Sequence, residues 1–311
     1  MSDVDPKTRV LLDMIAALGA PPLSETTPQQ FRDMRARSRD MLNAPIEPIA
    51  LVRNEIVAGA DGPLRARLYD TSEDDVRPTL VYYHGGGFVF GDLESHDALC
   101  RRLALHGGVR VIAIDYRLAP EHPFPAPVDD AWAAFVDIAA RHRHFGVDPA
   151  RLAVGGDSAG ANLAIATARR AAREGRPAVK YQLLFYPVTQ SVKSTPSRER
   201  FAEGYFLTRE TMDWFDGHYL PKDVDRHDER ISPLLAPPPA GLAPALVVTA
   251  GFDPLKDEGR DYADLLKDAG IECRYVDYPD QIHGFVSFTA FSTVAEAAIA
   301  DAAKTVADAL G

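Results

Sequence analysis

The chain has 311 residues, of which 46% are hydrophobic and 25% charged, an ordinary globular composition with material for a large core. A net charge of −11 argues against a nucleic-acid or anionic-membrane surface. No run of about 18 apolar residues offers a bilayer span, and the acidic start MSDVDPKTRV lacks the basic and apolar regions of a signal peptide.

Taken in order, the first fifty residues read as helical. Val10, Leu11, Met14, Ile15 and Leu18 form an apolar stripe at helical spacing, which predicts either ordinary core or part of a cap over a site. A second, polar helix is expected from about Gln29 to Leu42. Leu51 to Ala58 and Leu64 to Tyr69 alternate across Asp61-Gly62, the pattern of an antiparallel hairpin. Thr79 to Tyr83 reads as a buried strand ending in His84-Gly85-Gly86-Gly87, and a helix from about His96 to His106 leads to a strand from Arg110 to Ile114. A turn-rich segment then feeds a helix through Ala140. Leu152 to Val154 and the alanine-rich run after Ser158 read as strand and helix, followed by a strand from Lys180 to Tyr186. From Pro187 to Pro239 the alternation stops in a polar, proline-rich insertion that is helical near Thr208 to Tyr219. It resumes with a strand from Ala245 to Ala250, a helix from Lys256 to Ala269, a strand from Glu272 to Tyr278 and a terminal helix from Thr293 to Leu310. Strands alternating with helices imply an α/β fold with a mainly parallel sheet covered on both faces. The two cysteines, Cys100 and Cys273, make neither a disulfide framework nor a metal motif, so a reduced, cytoplasmic protein is expected.

Between the strand at 152–154 and its helix stands Gly156-Asp157-Ser158-Ala159-Gly160, which fits the G-x-S-x-G elbow that projects a serine hydroxyl from a sharp strand-to-helix turn. Phosphate-binding and plain connecting turns share such glycines, so the partners decide the reading. In this architecture the order is serine, acid, histidine. Only His283 follows residue 227 among nine histidines, and it comes after the last expected strand, on what reads as a loop. Asp253, just beyond the strand from Ala245, is the leading acid. Asp257 and Glu258 read instead as first-turn helix carboxylates favoured by the dipole. Oxyanion donors are expected from the N–H groups of Gly86, Gly87 and Ala159, with His84 organising their loop.

These stretches resemble the hormone-sensitive-lipase-like (family IV) bacterial carboxylesterases of the α/β-hydrolase superfamily. The resemblance rests on His84 to Phe88, Gly91 to Asp97, Asp115 to Glu121, Gly155 to Gly160, Asp253 to Gly259 and His283 to Phe285, in the family's order. It implies an eight-stranded, mostly parallel sheet with helices on both faces, and a helical cap from residues 1–45 and 188–235 over a catalytic domain of 46–187 and 236–311. It also implies the triad Ser158, Asp253 and His283, and hydrolysis of short- to medium-chain carboxylic esters without metal or organic cofactor. Ala161 and Asp280 stand where the family commonly has glycine. The first is expected to alter helix packing, and the second to raise the pKa of His283.

The expected reaction is acyl transfer from an ester to Ser158 and then to water. An amidase or deacetylase with the same triad stays open, and so does a non-catalytic small-molecule receptor, which the presence of His283 disfavours. Phe88, Val89, Phe206 and Leu207 are candidates to line an apolar acyl site, with cap-to-body packing as the alternative. The strand at 272–278 should lie at the sheet edge, where a homodimer contact is expected.

Overall fold

Strands that are covered on both faces lose the polar–apolar alternation of surface strands. Arg77–Tyr83 (β3), Arg110–Ile114 (β4), Val147–Asp157 (β5), Tyr181–Phe185 (β6) and Ala245–Phe252 (β7) accordingly carry near-continuous buried runs. In the computed structural model, which describes residues 3–19, 21–45, 48–73 and 76–311, these strands form the parallel centre of an eight-stranded sheet. Leu51–Gly59 (β1) and Gly62–Asp70 (β2) form the expected antiparallel hairpin, and β2 also runs antiparallel to β4. With Cys273–Ile282 (β8), the order is β1-β2-β4-β3-β5-β6-β7-β8, so β1 and β8 are the two edges.

Two cores sandwich the sheet. One lies under Ala126–Ala140 (α4), which the short His142–Phe145 (α5) follows, and under Ala159–Glu174 (α6) and Lys256–Asp268 (α9), with Phe135, Leu163 and Leu266 fully buried. The other lies under Asp97–Gly107 (α3) and Ala295–Leu310 (α10), around Leu103, Phe285 and Ile299. Ala161 is fully buried in the first turn of α6.

Over the carboxyl ends of the strands lie Pro6–Ala17 (α1), Pro28–Leu42 (α2), Pro196–Arg200 (α7) and Arg209–Tyr219 (α8). The Thr27–Gln30 capping box starts α2. Its Arg32 forks onto Glu121 and also donates to the Val89 and Ala119 carbonyls at 2.8 Å each, while Phe31 packs on Phe90 and Trp214 at 5.2 Å. Asp5 caps α1, donates its own N–H to the Asp280 carbonyl at 2.9 Å and accepts from Thr293 at 3.1 Å. The expected stripe on α1 needs correction. Leu11 and Leu12 dock with Val4 against Ile282 and Phe288, whereas Val10, Met14, Ile15 and Leu18 are exposed. The helix carries two apolar faces, and the inward one is flanked by Thr8, whose hydroxyl donates to the Phe291 carbonyl. The expected boundary at 45/46 meets Ile46, and the acidic start includes Met1 and Ser2; these residues lie outside the described ones.

Candidate active site

The close approach of strand and helix explains the glycines of the elbow. A Cβ at Gly160 would collide with the Tyr83 carbonyl oxygen, and one at Gly156 with the backbone of Gly160. Between β5 and α6, Ser158 sits at φ 55° and ψ −117°, a region that L-residues rarely occupy, and its N–H is held by the Phe185 carbonyl at 2.9 Å. The hydroxyl is thereby lifted clear of the strand at the amino end of α6.

The partners are delivered by strand register. β7 and β8 are longer than the alternation suggests, and Phe252 pairs with Ile282 beyond a bulge after Ala250. Their successors, Asp253 and His283, therefore emerge side by side. Residues 279–282, read from the sequence as loop, belong to this edge strand, a position that tolerates Pro279. His283 Nδ1 lies 2.7 Å from Asp253 Oδ2, and Nε2 lies 2.9 Å from Ser158 Oγ. Asp253 is fully buried, and its other oxygen accepts the Leu255 N–H at 2.8 Å. The His283 ring also packs on Tyr186, 4.6 Å between centroids. Asp280 does not join this chain, because its carboxylate accepts from the Gln281 amide.

Across from the elbow, the loop after β3 turns back at Gly86, whose φ of 124° suits glycine. Its carbonyl takes the N–H groups of Val89 and Phe90. Among the described residues, no acceptor takes the N–H of Gly86, Gly87 or Ala159. Asp157, which the sequence reading passed over, ties this loop to the elbow. Its Oδ1 accepts from Gly85 N–H and Tyr82 hydroxyl at 2.9 Å each, with His96 Nε2 at 3.1 Å. Burial alone would raise its carboxyl, but His96 and the Tyr82 hydrogen bond outweigh burial and hold it below the usual range. His84 stacks on Tyr116 at 4.3 Å with Nδ1 2.8 Å from the Gly85 carbonyl, and burial, reinforced by His96, pushes its pKa down. It braces the loop as expected.

Asp257 and Glu258 occupy the first turn of α9, but Glu258 does more than meet a helix dipole. Fully buried, it accepts the Thr189 N–H at 2.9 Å and pairs with Arg198 of α7 at 2.7 Å, which fastens the segment after β6 to the helix that follows Asp253. Arg198 carried no local sequence signal for this role.

A cavity of about 920 Å³ opens over Ser158 and His283 and includes Phe88, Phe206 and Leu207 in its wall. Val89 departs from the expectation. Phe88 adopts φ 63°, which breaks strand-like alternation, and Val89 turns fully into the core below.

Comparison with known proteins agrees with the fold. A family model described as alpha/beta hydrolase fold matches residues 80–287. The chain is similar to carboxylesterase NlhH of Mycobacterium tuberculosis, 38% identical over 92% of this chain and 90% of that one. It is also similar to the carboxylic ester hydrolase LipN of the same organism, 48% identical over 74% of this chain, and spans 63% of that relative's length. Among solved structures, an ester hydrolase from the metagenome of Lake Arreo superposes with a TM-score of 0.94 at 47% identity, covering 98% of each chain. The hyperthermophilic esterase of Pyrobaculum calidifontis gives 0.94 at 40%, covering all of both. The chain belongs to the alpha/beta hydrolase fold family, in its hormone-sensitive-lipase-like group of carboxylic ester hydrolases.

Proposed function

We propose that the protein hydrolyses short- to medium-chain carboxylic esters through an acyl-enzyme on Ser158. The observation that carries this reading is the unbroken line from Ser158 Oγ through His283 to the buried Asp253, facing three unclaimed backbone donors. His283 Nε2 takes the hydroxyl proton as Oγ bonds to the ester carbonyl carbon. The carbonyl oxygen, now anionic, accepts from Gly86, Gly87 and Ala159, each donor being worth on the order of 3 kcal/mol in the transition state. Collapse of the intermediate breaks the bond to the alkoxy group, which leaves as alcohol with the proton from His283. Water then gives a proton to the same nitrogen while attacking the acyl carbon, and Ser158 recovers it as the acid departs. Asp253 holds the imidazole orientation and stabilises the imidazolium. Phe88, Phe206 and Leu207 form the acyl walls, and residues 1–45 and 188–235 act as a cap over the catalytic domain.

The test is hydrolysis of p-nitrophenyl butyrate beside p-nitrobutyranilide, by the protein and by Ser158→Ala. Fast ester cleavage, slow anilide cleavage and an inactive variant are expected. Comparable anilide turnover would move the reading to an amidase, and activity surviving in the variant would remove Ser158 as nucleophile. The free cysteines support a reducing, cytoplasmic location, testable by fractionation. The open edge of β8 supports a homodimer, which a monomeric mass by light scattering at micromolar concentration would remove.

A further inference from the structure

Five arginines of the cavity wall, Arg32, Arg65, Arg117, Arg198 and Arg226, each meet a carboxylate. Two others, the exposed Arg209 and Arg35 of α2, meet none among the described residues, and of these two only Arg35 has a side-chain nitrogen sealed from solvent. Among the described residues no acceptor engages any of its N–H donors, and its Nε is sealed from solvent without a partner. What holds the guanidinium is aromatic: its carbon lies 4.6 Å from the Phe206 ring centroid, 5.0 Å from Phe31 and 5.6 Å from Phe90. Ring faces attract a cation but leave its in-plane N–H groups free, and a guanidinium carries five such donors. The wall carboxylates Asp33 and Asp92 are engaged elsewhere, with the Gln29 amide and with Ser95.

The rings also fix where this cation stands. Phe90 belongs to the turn that donates its N–H to the Gly86 carbonyl. Phe206 packs on Phe288 at 4.8 Å and lies against Gly284, the neighbour of His283. Arg35 therefore bridges the donor side and the histidine side of the reacting centre. Burial pushes its pKa down only to about 10, so the charge persists at neutral pH.

We propose that Arg35 is a specificity-determining residue that pairs with an anionic group on the substrate, so that the preferred esters carry a carboxylate a few bonds from the scissile carbonyl. This rests on the esterase reading above and names its substrate class. A planar carboxylate matches the guanidinium fork, and the aromatic collar excludes water from the pair. The carboxylate can reside on the acyl side, as in a monoester of a short dicarboxylic acid, or on the alcohol side, as in an acylated hydroxy acid.

Two matched pairs separate these sources: monomethyl glutarate against methyl pentanoate, and 4-acetoxybutyrate against butyl acetate. Within each pair a terminal methyl is replaced by a carboxylate. The quantity read is the ratio of kcat/KM, anionic over neutral, by pH-stat. Arg35→Met should lower that ratio at least about 10-fold in one pair, chiefly through KM, with Arg35→Lys in between, since a change of this size is one charge-assisted hydrogen-bonded contact. In the unmodified protein, KM for the anionic member should rise between 20 and 500 mM NaCl while that for its neutral partner does not. This second measurement holds even if Arg35→Met fails to fold. Ratios unchanged in both pairs, or no salt response, would reduce Arg35 to an aromatic tether. Absence of turnover of the neutral esters would instead strike the esterase reading itself.

Discussion

The strand ends and the segments lying over them are built on opposite plans. At the strand ends, backbone fixes the chemistry: register sets Asp253 beside His283, and a strained φ with tightly packed glycines sets Ser158. Above, α1, α2, α7 and α8 are held by side chains, through the Arg32 fork, the Arg198–Glu258 pair and clustered rings. On the function proposed above, the contrast teaches that the reaction falls to the part of the molecule with the fewest alternatives, and the choice of substrate to the part that side chains can retune.

The sharpest way to break this contrast is at the strand ends. Ser158→Ala and Asp253→Asn should each cost about 10⁴-fold or more in kcat with circular dichroism unchanged. If Asp253→Asn retained most activity, register would not be what makes the site. Next comes the fastening above. Arg198→Met strands a fully buried carboxylate and should lower unfolding free energy by about 3 kcal/mol in urea, with part recovered in the double variant with Glu258→Met. Burial raises Glu258, so in the folded protein this group favours its proton. Its contribution is fullest below the ordinary glutamate range and declines as pH rises through the raised value. The Arg198→Met defect should therefore be larger at pH 8 than at pH 5.

Asp157 joins the two plans and makes a finer probe. Asp157→Asn keeps the shape but weakens the grip on Gly85, so kcat should fall about 10- to 100-fold while KM changes little. A KM effect alone would place Asp157 with the covering segments. The smallest effect is expected at Glu121, which Arg32 holds at about 2. Its pairing is largely exposed, so it contributes under about 1 kcal/mol. That contribution is present above the ordinary glutamate range and lost as pH falls towards 2. The Tm difference between the protein and Glu121→Gln should shrink accordingly between pH 7 and pH 2.5.

The same contrast explains what could be read from the chain. Ser158 announces itself within five residues, and His283 is singled out by chain order. The strands were readable because a run covered on both faces stays apolar whatever covers it. Asp157 was not, although it adjoins the serine, because Tyr82 lies 75 positions away and the loop it grips 72. Glu258 and Arg198 meet across 60 positions, and neither residue type reveals a partner at that distance. On α1 the periodicity was correct and the facing wrong, since two apolar faces compete and only the docking partner decides. Arg35 looked like any arginine on a polar helix, and the rings that collar it come from three segments.

The anchoring of Asp5 has a practical corollary. Its N–H holds the carbonyl of Asp280, three positions before His283, and its carboxylate holds Thr293 on the far side of the same loop. Clipping or fusing a tag close to residue 5 acts, in effect, on the residue proposed to carry the proton, although some 280 positions separate them along the chain. Affinity handles for kinetic work belong at the opposite terminus, where the exposed Gly311 accepts from the half-buried Arg151 side chain at 2.9 Å, far from the site.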